Sequence, residues 1–437
     1  MVDTRPEGPL SGVLVADFSR ILAGPYATML LADLGADVVK VEGPQGDDTR
    51  TWTPPTRGEV STYYLGVNRG KRSIALDLRD PADAEVAREL ARRADVLIEN
   101  FRPGGLAKYG LDHASVQARN PRIVYASISG FGSGAGARVP GYDLMVQAMS
   151  GLMSLTGDPD GPPYRAGISV FDVMAGNHAV IGVLAALRHR EATGRGQHVE
   201  VNLLSSALTG LVNQSSAYVA GGVVPYRMGN AHPSVFPYEP LPTKDDDLIV
   251  AAANDGQFRK LCEVLGIPEV AADPRFARNA DRTANREELR PILVERLARR
   301  PAVEWFELLV DAGVPSGPIT TIDGGFAMAE RFELDPVVVV GEGERAVPTT
   351  RHPIRFSETP AGYTLPPPEL DEHGAELRAW LTTEPGASSA ADTSGVADTS
   401  HTSDASGVTD TSHASDASAG SAGSEGSAGS EEEGERG

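Results

Sequence analysis

The chemistry of this chain is read first from Asp172, near the start of residues 167–190, GISVFDVMAGNHAVIGVLAALRHR. Val173, Met174, Val180, Ile181, Val183, Leu184 and Leu187 recur at spacings of three and four, which predicts a largely buried helix. A carboxylate at its start can accept hydrogen bonds from unpaired N–H groups at the positive end of the helix dipole, so the pattern predicts an ionised Asp172 at neutral pH. Such a group can act as a nucleophile, although an Asp opening a helix is usually only an N-cap. Gly176, one turn on, is expected to leave room for a bulky group beside it.

Other polar residues suit binding. Arg20, Arg69 and Lys71 are candidate phosphate partners, while Arg227, Asn230 and His232, in the block RMGNAHP, either face a small substrate or build a turn. His178, inside the buried helix, reads as a satisfied core residue, and Glu42 as a cap without chemistry. Gly66-Val-Asn-Arg-Gly70-Lys71 is one residue short of a Walker A loop. Gly130-Phe-Gly132-Ser-Gly134-Ala135 fits a loose dinucleotide pattern, but Gly136 and Pro140 oppose a helix there. Neither HExxH nor GxSxG occurs, so zinc protease and serine hydrolase readings have no support, and no metal site is expected.

These residues need elements to position them. Strands are expected at 12–16, 37–42, 73–76, 96–100 and 123–129, alternating with helices at 26–34, 81–94 and 111–119. That alternation predicts an α/β fold with a mostly parallel, Rossmann-like sheet whose ligands sit at the carboxyl ends of the strands. Ala23-Gly24-Pro25 would let a phosphate approach the first helix. A strand at 198–202 and a helix from 203 to about 218 follow the long helix. Residues 221–238, rich in Gly, Pro and Val, read as a crossover. A strand at 248–253 and helices at 257–265, 286–299 and 302–312 predict a smaller α+β domain. Strands at 337–340 and 351–356 and a helix at 373–381 would return to the first domain. The expected division is 1–225 for the large domain, 226–330 for the small one, 331–385 for the return, and 386–437 for a disordered acidic tail of Ser, Ala, Gly and Asp.

At 437 residues and 41% hydrophobic content the chain can bury a large core. Its net charge of −21 argues against nucleic acid or an anionic membrane as partner. The charge is unevenly spread: from residue 386 onward ten acidic residues face one Arg, whereas residues 1–122 hold 16 Lys and Arg against 17 Asp and Glu. The first quarter is therefore the segment suited to an anionic ligand. A single cysteine, Cys262, excludes a disulfide framework. With no secretory leader pattern and no run of about 18 apolar residues, the expected location is the cytoplasm.

The blocks PLSGVLVADFSRILAGPYATMLLADLGADVVKVEGPQGDDTR, NRGKRSIALDL, VLIENFRPGGLAKYGL, GYDLMVQAMSGLMSLTG, TGRGQHVEVNLL, RMGNAHPSVFPY, DPRF and AGVPSGPI, in this order over residues 9–370, closely resemble the family III CoA-transferases, the CaiB/BaiF family. The resemblance implies a ring-like subunit of a Rossmann-like and a smaller domain, two of which interlock as a homodimer. It implies transfer of CoA from an acyl-CoA donor, with succinyl-CoA a candidate, to a free carboxylic acid. CoA thioesters are then substrates, and no cofactor is tightly bound.

The family's nucleophile falls on Asp172. Its CoA contacts fall on Leu22 and Ala23, the stretch Leu76-Asp77-Leu78-Arg79, Asn100, Phe101, Arg102, Lys108 and the surroundings of Tyr142. A covering loop of formyl-CoA transferases matches Asn254, Asp255, Gly256 and Gln257, without their run of glycines. Gly43 and Lys108 stand where those relatives have Arg. Gly141-Tyr142-Asp143 replaces the Gly-His-Asp of the 2-methylacyl-CoA racemases, and a phenol with a pKa of about 10 is a poor base near pH 7. A racemase and a CoA-binding protein without catalysis remain as the two other readings.

Overall fold

Short runs of Val, Ile and Leu bounded by Gly, Asp and Asn give six strands: β1 (Leu14–Asp17), β2 (Asp37–Glu42), β3 (Lys71–Ala75), β4 (Val96–Glu99), β5 (Val124–Ser129) and β6 (His198–Asn202). The computed structural model describes residues 8–383, so the tail expected at 386–437 lies outside the described residues. All six strands run parallel in the order β3-β2-β1-β4-β5-β6. The chain steps outward from β1 to β3 and then crosses back to lay β4 on the other side of β1, which puts the switch point between β1 and β4.

Both faces of the sheet are covered, as a parallel sheet requires. On one face α1 (Ala23–Asp33), α2 (Asp143–Met149) and α3 (Val170–Thr193) bury Leu31, Val146, Ala175, Ala179 and Val183 against Val15, Val124 and Ala126. On the other, helices Pro81–Arg93, His113–Arg119 and Gly374–Thr382 bury Leu90, Val116 and Leu377 against Leu97 and Tyr125. Gly194, at φ 74, closes α3, its N–H bonding to the Arg190 carbonyl at 2.8 Å.

The space expected beside Gly176 is already filled by α1. A Cβ there would lie 2.7 Å from the Ala23 carbonyl oxygen and 3.1 Å from the Tyr26 ring, so this glycine lets two helices touch rather than admitting a ligand. An 18-residue stretch of α3 with a mean hydropathy of 1.7 is also apolar enough to cross a membrane; its inner face packs into the core.

A second core surrounds an antiparallel sheet of β7 (Tyr238–Pro242), β8 (Asp247–Ala251) and β9 (Ser316–Pro318), where Leu248, Val250, Leu261, Leu293 and Leu309 pack with Trp305. Two expectations need correction. The helix foreseen from 203 to 218 is two, Leu203–Gly210 and Val212–Val219, broken where Val212 takes φ 38. Residues 351–356 form no strand: β10 (Val337–Val340) pairs instead with β11 (Val347–Thr350). Pro353, lacking an N–H, cannot donate to a ladder.

Candidate active site

The loop leaving β1 is held by buried charges. Asp17 accepts from Lys71 Nζ at 3.1 Å and Thr28 Oγ1 at 2.6 Å, and is also bonded to Ser19 Oγ. Lys40 Nζ reaches the Ser19 carbonyl at 3.2 Å and Asp47 at 3.0 Å. Burial pushes the Asp47 carboxyl up, but the Lys40 ammonium and the Thr49 N–H outweigh it and hold the group at about 2. Asp47 also accepts the Ile21 N–H at 3.1 Å. Asn100, just after β4, accepts the Arg20 N–H at 2.9 Å and donates to the Arg20 carbonyl at 2.7 Å. These bonds keep Ile21 at φ 71, a conformation costly for a β-branched residue.

Buried ion pairs remove two phosphate candidates. Arg69 is 2% exposed, with its guanidinium in two bonds to Asp33 at 2.8 and 2.6 Å. Lys71 is fully buried and bonds Asp17, Asn68 and the Pro25 carbonyl. Neither can reach a ligand. Of the three cations, Arg20 alone is open to one.

Asp172 stands in the first turn of α3, but it is not the cap. Asp143 at the start of α2 closes that end, its Oδ1 accepting the N–H groups of Phe171 at 2.7 Å and of Asp172 at 3.3 Å. Asp143 also bonds Gln147, whose amide donates to the Ile168 carbonyl at 3.1 Å and accepts the Ala166 N–H at 2.8 Å. Two side chains of α2 thus fix the segment that delivers Asp172. Burial, followed by the neighbouring Asp143 charge, raises the Asp172 carboxyl to about 7. The expectation of a fully ionised group at neutral pH is corrected accordingly, because Asp143 occupies the N–H groups that would have stabilised the charge. Burial and then the Asp172 charge push Tyr63, hydrogen-bonded to Ser169, up to about 12.

Asp172 opens into a cavity of about 310 Å3 at the carboxyl ends of β1, β4 and β5, beside the switch point. Leu22, Ala23, Asn100, Phe101, Arg102 and Tyr142 line it too, and among the described residues Asp172 is the one carboxyl group that does. A second cavity, about 300 Å3, lies beyond β2 and β3 and contains Leu76, Arg79 and Tyr109; Arg20 and Phe101 line both. Lys108 lines neither, its ammonium resting 4.8 Å from the Tyr109 ring centre.

Asn254, Gly256, Gln257, Arg227 and His232 are likewise outside both cavities. Asn254 caps the helix Asp255–Val264 by accepting the Gln257 N–H at 2.9 Å. Arg227 donates to the Asp158 carbonyl at 3.2 Å, and His232 packs 5.1 Å from Tyr238. His178 bonds Ser206 at 2.9 Å, as a satisfied core histidine should. The sequence reading missed the roles of Asp143 and Tyr63. The Gly141-Tyr142-Asp143 block was the available signal for the first.

A model of the family described as CoA-transferase family III matches residues 10–374, nearly all of the chain described. The chain belongs to this family. It is 45% identical over 387 residues to the succinate–glutarate CoA-transferase of Agrobacterium fabrum, covering 86% of this chain and 96% of that one. It is 40% identical over 378 residues to the acetyl-CoA:oxalate CoA-transferase of Acetobacter aceti, covering 86% and 96%. A crystal structure of a CaiB/BaiF family protein from Brucella suis, 45% identical, superposes with a TM-score of 0.76 over 86% of this chain and all of that one. This family III CoA-transferase is an enzyme that moves CoA between an acyl-CoA and a carboxylate.

Proposed function

We propose that the enzyme passes CoA from succinyl-CoA, or a similar small dicarboxylyl thioester, to a free dicarboxylic acid such as glutarate, through covalent acylation of Asp172. The observation that carries the mechanism is the placement of Asp172 as the one described carboxyl group lining its cavity. The names of relatives acting on succinate, glutarate and oxalate support the substrate class.

The Asp172 carboxylate attacks the thioester carbonyl, the C–S bond breaks, and CoA leaves as thiolate from a mixed anhydride. The thiolate then attacks the Asp172 carbonyl, releasing the donor as its carboxylate and leaving an aspartyl–CoA thioester. The acceptor carboxylate attacks that thioester and expels the thiolate again. Attack of the thiolate on the acyl carbonyl of the new anhydride forms the product thioester and restores Asp172. Every step keeps an activated acyl bond, so no external energy source is consumed. Near pH 7 about half of Asp172 is ionised, and a raised pKa makes that carboxylate a better nucleophile than an ordinary one.

CoA thioesters act here as substrates, with no tightly bound cofactor, and Leu22, Ala23, Asn100, Phe101, Arg102 and Tyr142 hold the pantetheine arm. Leu76 and Arg79 receive the adenosine end. Residues 226–330, which hold the second core, serve as the smaller domain, and two subunits interlock as a homodimer in the cytoplasm. The test is trapping. Succinyl-CoA followed by hydroxylamine should leave a hydroxamate on the Asp172 peptide, seen by mass spectrometry, and Asp172→Ala should lose at least about a thousandfold in transfer rate. Undiminished transfer by that variant would reject the mechanism.

A further inference from the structure

Arg20 and Phe101 are the two residues that line both cavities. A CoA thioester reacting at Asp172 has its acyl end in the first cavity. A path for its nucleotide end runs past Arg20 toward Leu76 and Arg79, with the diphosphate between the two. This path rests on the reading of Asp172 given above.

The side chain of Arg20 is 57% exposed, and among the described residues its guanidinium pairs with Asp48, 55% exposed, at 3.3 Å. An exposed pair at that distance is weak and readily exchanged. A diphosphate offers the guanidinium fork two charged oxygens and a stronger match. The backbone beneath is the opposite of weak: both Arg20 polar groups are bonded to Asn100, and the next N–H to Asp47. The guanidinium therefore swings from a fixed base.

We infer that Arg20 clamps the diphosphate of CoA, and that Asp48 is a latch which occupies Arg20 until the diphosphate displaces it. Arg20 then contributes to binding of the nucleotide end, not to the chemistry at Asp172. Asp48 opposes binding, because its carboxylate must give up its partner and remain close to an incoming anion.

Titration calorimetry with free CoA, dephospho-CoA and pantetheine tests this without any acyl transfer, so it reports on Arg20 whether or not Asp172 is the nucleophile. Arg20→Gln should weaken CoA and dephospho-CoA by the same factor, at least tenfold, and leave pantetheine unchanged. Asp48→Asn should tighten both nucleotides severalfold, with Arg20→Gln/Asp48→Asn no tighter than Arg20→Gln alone. Loss confined to CoA would assign Arg20 to the 3′-phosphate and overturn the proposal. Equal loss for pantetheine, or weaker CoA binding by Asp48→Asn, would overturn it as well. The side chains are exposed, and unchanged melting temperatures in the variants would confirm that binding alone is being read.

Discussion

At the scale of single residues, the pairing of Asp172 with Asp143 decides what the site can do. Asp143 serves as cap and as neighbouring negative charge, so the carboxyl proposed as the nucleophile is only part ionised near pH 7. Only the carboxylate attacks, and kcat/KM should therefore rise with pH along a limb centred near 7. Asp143→Asn keeps a side-chain oxygen for the Phe171 N–H but removes the charge, which lowers the pKa of Asp172. The limb in a pH–rate profile should move toward acid by about one unit. A limb that stays in place would show that burial alone sets the pKa. The sequence could not reveal this pair, because the cap comes from 28 residues earlier and helix-start patterns point only to local residues. Arg69 and Lys71 mislead for a similar reason: a basic loop looks the same in sequence whether its charges face solvent or a buried carboxylate. The place of Asp172 in the first turn of α3 was legible, through the periodicity of that helix.

Among the elements, the contact between α1 and α3 has the least tolerance. Gly176→Ala would press a methyl group onto the Ala23 carbonyl and the Tyr26 ring, and should cost about 1–3 kcal/mol. Because Ala23 and Asp172 line the same cavity from these two helices, KM for the acyl-CoA should rise together with the fall in melting temperature. A destabilised variant with unaltered KM would show that the helices move without disturbing the cavity. The strands at 37–42 and 198–202 agree residue for residue with their sequence expectation, since runs of β-branched residues ended by Gly or by a capping Asn mark both ends. The break at Val212 and the pairing of Val347–Thr350 carried no such mark.

For the whole molecule, the exposed apolar side chains are the feature that a single subunit does not account for. Ile181, in the middle of α3, is 63% exposed, and Val212, Tyr218 and Val219 are exposed to similar or greater degree. The proposed homodimer would bury such residues. Sedimentation should give twice the chain mass, and Ile181→Asp should shift the enzyme toward single chains; a native chain that sediments alone would end the dimer proposal. The fold class and the parallel sheet were legible because alternating strand and helix signals leave few arrangements open. The exposure of Ile181 and Val212 was not, since exposed Ile and Val look in sequence like core.

The locked loop after β1 also bears on how fast substrate is taken up. Ile21 holds its unfavourable backbone angle, and the carboxylates and ammonium groups beneath it satisfy one another without help from a ligand. CoA bound as proposed meets a backbone already in its final shape, where the Arg20 side chain has only to leave Asp48. Capture should be limited by diffusion and by orientation of the long coenzyme, and affinity differences among acyl-CoAs should appear mainly in how slowly they depart.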